Sequence, residues 1–176
     1  DVANVIAWLR QPPTRQVLFD DSPAFVDLLK EGGGSATLVT SDKHSGSASL
    51  RITPLQRHSK SIPGWAFRIR ENPGAGEYRY LRLAWKAPKA AGVMVELADN
   101  GAWPSSGSPK RRYYSGKNTS DWQATRVSKK RPTEWTVVTR DLWKDFGNLT
   151  LTGIAPTALG GPVWFDQIEL LRTPDN

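Results

Sequence analysis

The chain has 176 residues, 38% hydrophobic, 23% charged and 10% aromatic, which is the composition of one folded domain and not of a disordered tail. No apolar run approaches the ~18 residues of a membrane span, and no basic-then-apolar leader stands at Asp1, so any export signal is expected upstream or already removed. Zero cysteines exclude a disulfide framework, thiolate-ligated zinc, a covalently attached c-type haem and a cysteine nucleophile from these residues. Lys and Arg number 24 against 17 Asp and Glu, a net +7, and the excess is local: between Ser105 and Pro132 stand eight basic residues and one acid, Asp121, while the rest carries 16 of each sign. That pattern implies a local partner or a solvated loop.

Val2, Val5, Ile6 and Leu9 share one face of a helix that Pro12-Pro13 ends, giving an N-terminal helix and linker over residues 1–14. Ser22 as N-cap, Pro23 at the first helical position and Gly32-Gly33-Gly34 beyond predict a second helix over residues 22–31. The period then changes to two. Ala48, Leu50 and Ile52 alternate with polar residues, as do Trp65, Phe67 and Ile69; Leu81, Leu83 and Trp85 share a parity, as do Val93, Val95 and Leu97. Further strands are predicted over residues 36–40, 112–115, 122–127, 134–139, 149–154 and 163–170, separated by Gly-, Pro- and Asn-Gly turns. About ten short strands with little helix between them point to an all-β, antiparallel two-sheet sandwich. Trp65, Trp85, Trp135 and Trp164 fall within strand patterns and are assigned to its core.

Three segments carry a family resemblance. TSDKHSGSASLRI, residues 40–52, resembles the loop and strand of jelly-roll carbohydrate-binding modules of the galactose-binding-like type, where a His-Ser-Gly-like turn precedes a strand ending Leu-x-Ile. EWTVVTRDLW, residues 134–143, is similar to their late Trp-containing strand. GPVWFDQIELL, residues 161–171, is similar to their closing strand, although Gln167 stands where the family pattern has a second acid. The resemblance implies a jelly roll over residues 15–172 with a tail at 173–176, and carbohydrate as ligand. DVANVIAWLR resembles the last helix of a class I cytochrome c domain, and YRYLRLAWKAP with GVMVELADNGAWP is similar to domains appended to c-type cytochromes in multidomain planctomycete proteins. This implies a periplasmic or secreted multidomain protein whose haem lies outside the fragment. From the residues alone, the same helix is an amphipathic element packing on the domain behind it.

Catalytic chemistry finds no constellation here. The sequence has no Gly-x-Ser-x-Gly elbow, no His-Glu-x-x-His and no phosphate-binding glycine loop, and its two histidines, His44 and His58, read as turn residues. A non-catalytic domain is expected. Asp166 shares parity with Trp164, Ile168 and Leu170, so it is expected to face apolar surroundings, where an unpaired carboxylate is costly. In the resembling family this acid helps ligate a structural calcium, which here implies Asp20, Asp21 and Asp166 with carbonyls of residues 42–47; a buried hydrogen bond or an Arg partner satisfies it equally. Asp99, Asn100, Trp103, Arg111, Arg112, Tyr113, Tyr114 and Trp122 combine aromatics with hydrogen-bonding groups in polar stretches, so they are the candidate ligand contacts. Such aromatics equally fold back to cover a sandwich edge. Interleaved cations and rings also suit single-stranded nucleic acid, but no RNA-recognition or helix-turn-helix pattern accompanies them, and docking on an acidic neighbouring domain is favoured over it.

Overall fold

In the computed structural model, Val2 and residues 14–105 and 110–174 are described; the helix expected near the N-terminus otherwise falls outside them. The alternating segments form strands: β1 (Arg15–Phe19), β2 (Ala36–Val39), β3 (Ser49–Ile52), β4 (Phe67–Ile69), β5 (Glu77–Tyr78), β6 (Tyr80–Lys86), β7 (Gly92–Asp99), β8 (Arg112–Gly116), β9 (Thr125–Ser128), β10 (Thr136–Asp141), β11 (Leu149–Leu159) and β12 (Val163–Leu171). Within residues 14–105 and 110–174 two short helices accompany them, α1 (Pro23–Leu28) and α2 (Leu142–Phe146). α1 begins after Ser22 with Pro23 in its first turn, as the sequence predicts, but stops three residues before the expected end, at Leu28.

The strands make two six-stranded sheets. The first runs β10-β6-β12-β3-β2, with β1 also paired to β12; the second runs β5-β4-β11-β7-β8-β9. Pairing is antiparallel except for β4 with β5 and β8 with β9, two short parallel edges. The fold is an all-β two-sheet jelly-roll sandwich. Its core comes from one face of each sheet: Leu50, Ile52, Leu81, Leu83, Trp85, Phe165 and Ile168 from the first, Val93, Val95, Leu97, Tyr113, Leu151 and Ile154 from the second. Full burial of each large apolar side chain contributes roughly 1.5–3 kcal/mol. Trp85 and Phe165 meet edge to face across the β6–β12 pair, ring centroids 6.1 Å apart.

One local feature reverses a parity argument. Gln167 has φ of 48° and lies where the β12–β6 register shifts between Asp166 and Glu169, a bulge that inserts an extra residue. Val163 and Phe165 before the bulge, and Ile168 and Leu170 after it, therefore face the core, and Trp164 and Asp166 do not share the inward face of Ile168. Trp164 instead stands between two cations, Lys86 Nζ at 5.4 Å and Arg51 Cζ at 5.6 Å from its ring centroid. Lys86 also lies 5.5 Å from the ring of Trp135, whose indole Nε1 donates to Asp42 Oδ1 at 3.0 Å, and Asp42 pairs with Lys86. Trp135 and Trp164 are thus half-buried rungs of a cation–aromatic ladder outside the first sheet, and not core residues.

Candidate functional site

The outer face of the second sheet is built by the residues that alternate with its core set. Val95 and Tyr113 point inward, so Met94, Glu96, Arg112 and Tyr114 point outward, paired Met94 with Tyr114 and Glu96 with Arg112. Met94 and Glu96 are nevertheless only 0% and 4% exposed, because side chains and connecting segments cover them. Arg112 joins this cover: its guanidinium meets the Glu96 carboxylate at 3.2 and 3.3 Å and donates weakly to the carbonyls of Gln123 and Pro104. The Arg112 guanidinium carbon lies 5.2 Å from the Trp122 ring centroid, so a buried ion pair braces one side of a half-exposed indole. Around that indole opens a cleft of about 340 Å³ lined by Pro104, Ser105, Lys110, Arg112, Asp121, Trp122 and Gln123.

The predicted ligand contacts divide. Arg112 and Trp122 meet in the cleft, and Tyr114 stands on the same face, half-buried, beside Arg126 of β9. Trp103 packs edge-on against His58, ring centroids 5.4 Å apart at 89°. Arg111 is 8% exposed and donates to the carbonyls of Leu97 and Ala102, so it fastens a turn; burial pushes its guanidinium pKa down. Asp99 accepts from the Thr150 amide at 2.8 Å and, with Asn100, borders a separate depression beside Arg70 and Asn148.

Tyr113 needs correction. Two rings adjacent in a strand face opposite ways, and Tyr113 takes the inward side at 1% exposed, packed on Phe146. Its hydroxyl donates to Asp145 Oδ2 at 2.6 Å, and Arg140 holds the same oxygen from 3.0 and 3.1 Å. Burial first, and the Asp145 carboxylate second, push the phenol's pKa far up, so it stays a donor. No ligand reaches that ring. Conversely, Lys110, Asp121 and Gln123 line the cleft and were not among the predicted contacts; charge counts and strand patterns carry no sign that these three converge.

The three predicted metal ligands do come together. One ligand atom from each of Asp20, Asp21 and Asp166 lies within 4.8 Å of the others. The loop after β2 wraps them: Asp166 Oδ2 accepts from the amides of His44 and Ser45 at 2.9 and 3.0 Å, and Asp21 Oδ1 from those of Ser47 and Ala48, both at 2.9 Å. Burial pushes the Asp166 carboxyl pKa up, three amides oppose this, and the charge of Asp20 adds to the rise. The donor set is all hard oxygen and its charges repel, which suits a calcium-type cation.

No family model and no curated protein matches the chain. Among solved structures it is similar to the family 30 carbohydrate-binding module of the cellulosomal cellulase Cel9D-Cel44B of Clostridium thermocellum, at 15% identity and a TM-score of 0.50, with 92% of this chain and 99% of that chain covered. A second family 30 carbohydrate-binding module aligns at 14% identity and a TM-score of 0.50, covering 92% of this chain and 89% of that one. A family 29 carbohydrate-binding module aligns at 14% identity and a TM-score of 0.49, with 90% and 91% covered. The two family 30 likenesses agree with the jelly-roll fold.

Proposed function

We propose that the chain is a non-catalytic carbohydrate-binding module that holds a sugar ring against the indole of Trp122. The observation that carries this reading is the bracing of Trp122 by the Arg112–Glu96 pair at an open cleft, with Lys110, Asp121 and Gln123 within reach of hydroxyls. An indole held by a buried ion pair loses little freedom on binding, which is what an aromatic platform needs. The fold shared with family 30 carbohydrate-binding modules supports the same reading. A periplasmic or secreted setting belongs to it as well.

A calcium ion at Asp20, Asp21 and Asp166 is the second part of the proposal. These carboxylates belong to β12 and the segment after β1, in the other sheet from the cleft, so the ion's task is to fix the loop at residues 40–48 and not to touch sugar. Glycan-array screening followed by titration tests the function. The hit should weaken roughly 30-fold in Trp122→Ala, the effect of losing about 2 kcal/mol at an aromatic anchor. Unchanged affinity in that variant refutes the site, and an array without any hit refutes the function.

A further inference from the structure

Of the eight basic residues between Ser105 and Pro132, three are consumed by the fold: Arg111 by the carbonyls of Leu97 and Ala102, Arg112 by Glu96, and Arg131 by the Ala90 carbonyl at 2.9 Å. The other five, Lys110, Lys117, Arg126, Lys129 and Lys130, make no side-chain hydrogen bond or ion pair among the described residues. Lys117, Arg126, Lys129 and Lys130 are exposed and Lys110 is half-buried; Asp121, the one acid between residues 110 and 131, is exposed.

The β8–β9 register arranges these cations. Both strands run the same way, with Tyr114 opposite Arg126 and Ser115 opposite Ser128. Lys110 and Trp122 precede their strands at one end; Lys117, Lys129 and Lys130 follow them at the other; Arg126 stands between. At about 3.3 Å per strand residue the track from Lys110 to Lys117 is roughly 20 Å long. It begins at the Trp122 cleft and continues past Tyr114. A single anion does not need such a track; an extended chain with repeated negative charges does.

We infer, resting on the carbohydrate reading above, that the ligand is an acidic polysaccharide of the uronate type, with one sugar at Trp122 and carboxylates of successive units along Arg126, Lys117, Lys129 and Lys130. Nucleic acid shares the charge pattern, but along this track the described residues offer it one braced indole at the end and the half-buried Tyr114, where a base-stacking groove repeats open rings along the strand. β9 is also a sheet edge, where cations discourage edge-to-edge pairing. Reversing their sign keeps that protection and removes the attraction.

Titration of the intact chain with hexagalacturonate, cellohexaose and a twelve-nucleotide oligothymidylate, at about 50 and about 300 mM salt, tests the inference. Hexagalacturonate is expected to bind tightest and to weaken about tenfold or more at the higher salt, because the contacts are exposed charges. The triple variant Arg126→Glu, Lys129→Glu, Lys130→Glu, with an unchanged circular dichroism spectrum, is expected to lose that binding. Cellohexaose binding tighter than hexagalacturonate, or no loss in the triple variant, overturns the acidic class and leaves the carbohydrate function standing. Tighter oligothymidylate binding replaces the inference with nucleic acid. Failure of both hexasaccharides overturns the acidic class, and only a glycan array without any hit removes the carbohydrate function itself.

Discussion

Replacing Tyr113 by Phe removes one hydroxyl from the core and leaves the ring in place. The ring keeps its contact with Phe146 at 5.0 Å, and Asp145 keeps Arg140 at 3.0 and 3.1 Å, so what disappears is the 2.6 Å bond from the phenol to a carboxylate. A hydrogen bond to a charged group contributes about 1.5–3 kcal/mol. The lower end applies, because Asp145 is 19% exposed and water replaces part of the lost contact. For a domain of this size, 1.5 kcal/mol corresponds to a Tm lower by roughly 3–6 °C. Calorimetry of Tyr113→Phe beside Trp122→Ala separates core from site: the first should melt earlier and bind glycan normally, the second should melt normally and bind poorly. A Tyr113→Phe protein that melts like the parent and loses glycan binding refutes the inward assignment of this ring.

Chelation is expected to lower Tm relative to the calcium-loaded protein by roughly 5–11 °C, the equivalent of about 2.7 kcal/mol when calcium exceeds Kd a hundredfold, and Asp166→Asn should erase the response; an unchanged Tm on chelation refutes the ion. At Asp141, burial raises the carboxyl pKa, but Arg79 at 2.9 and 3.0 Å and the Lys144 amide at 3.0 Å outweigh it and hold the group below the ordinary carboxylate value. A depressed carboxylate stabilises the fold above about pH 4 and loses that contribution as pH falls through its folded value, so Asp141→Asn should flatten the acid limb of a Tm–pH curve; an acid limb matching the parent's excludes this group. A Cβ at Gly153 would lie 2.1 Å from the Ser59 carbonyl oxygen, so Gly153→Ala must move backbone and should cost about 3 kcal/mol or more in denaturant titration; a cost under ~1 kcal/mol would show that the segment gives way freely.

Strands with clean alternation were legible because one face of each lies on the core, as at Leu81, Leu83 and Trp85 or Val93, Val95 and Leu97. β5 has two residues, too few for any period, and its parallel pairing with β4 has no local signature. The bulge at Gln167 defeated parity in β12: a polar side chain at positive φ gives no warning comparable to a glycine. Trp135 and Trp164 followed apolar patterns yet stand outside, since an indole covering Lys86 satisfies hydropathy as well as one in the core. At the candidate site, the segment was legible from its charge and rings, but its internal division was not. Which of Tyr113 and Tyr114 faces out depends on register, and which cations stay free depends on carbonyls and a Glu96 that are distant in sequence.

β12 comes last among the strands yet occupies the interior of the first sheet, bonded to β6 and β3 on its sides and to β1 along its later half. Every partner precedes it, and β1 does so by about 150 residues, among the longest loops the chain closes. During synthesis the first sheet therefore waits, with the β10–β6 pair unable to reach β3, until residues 163–171 leave the ribosome. A domain so wired is a slow folder by topology, because loop-closure entropy is spent before the central ladder repays it. Shortening the chain into residues 163–171 should abolish the whole sandwich cooperatively, not fray one edge.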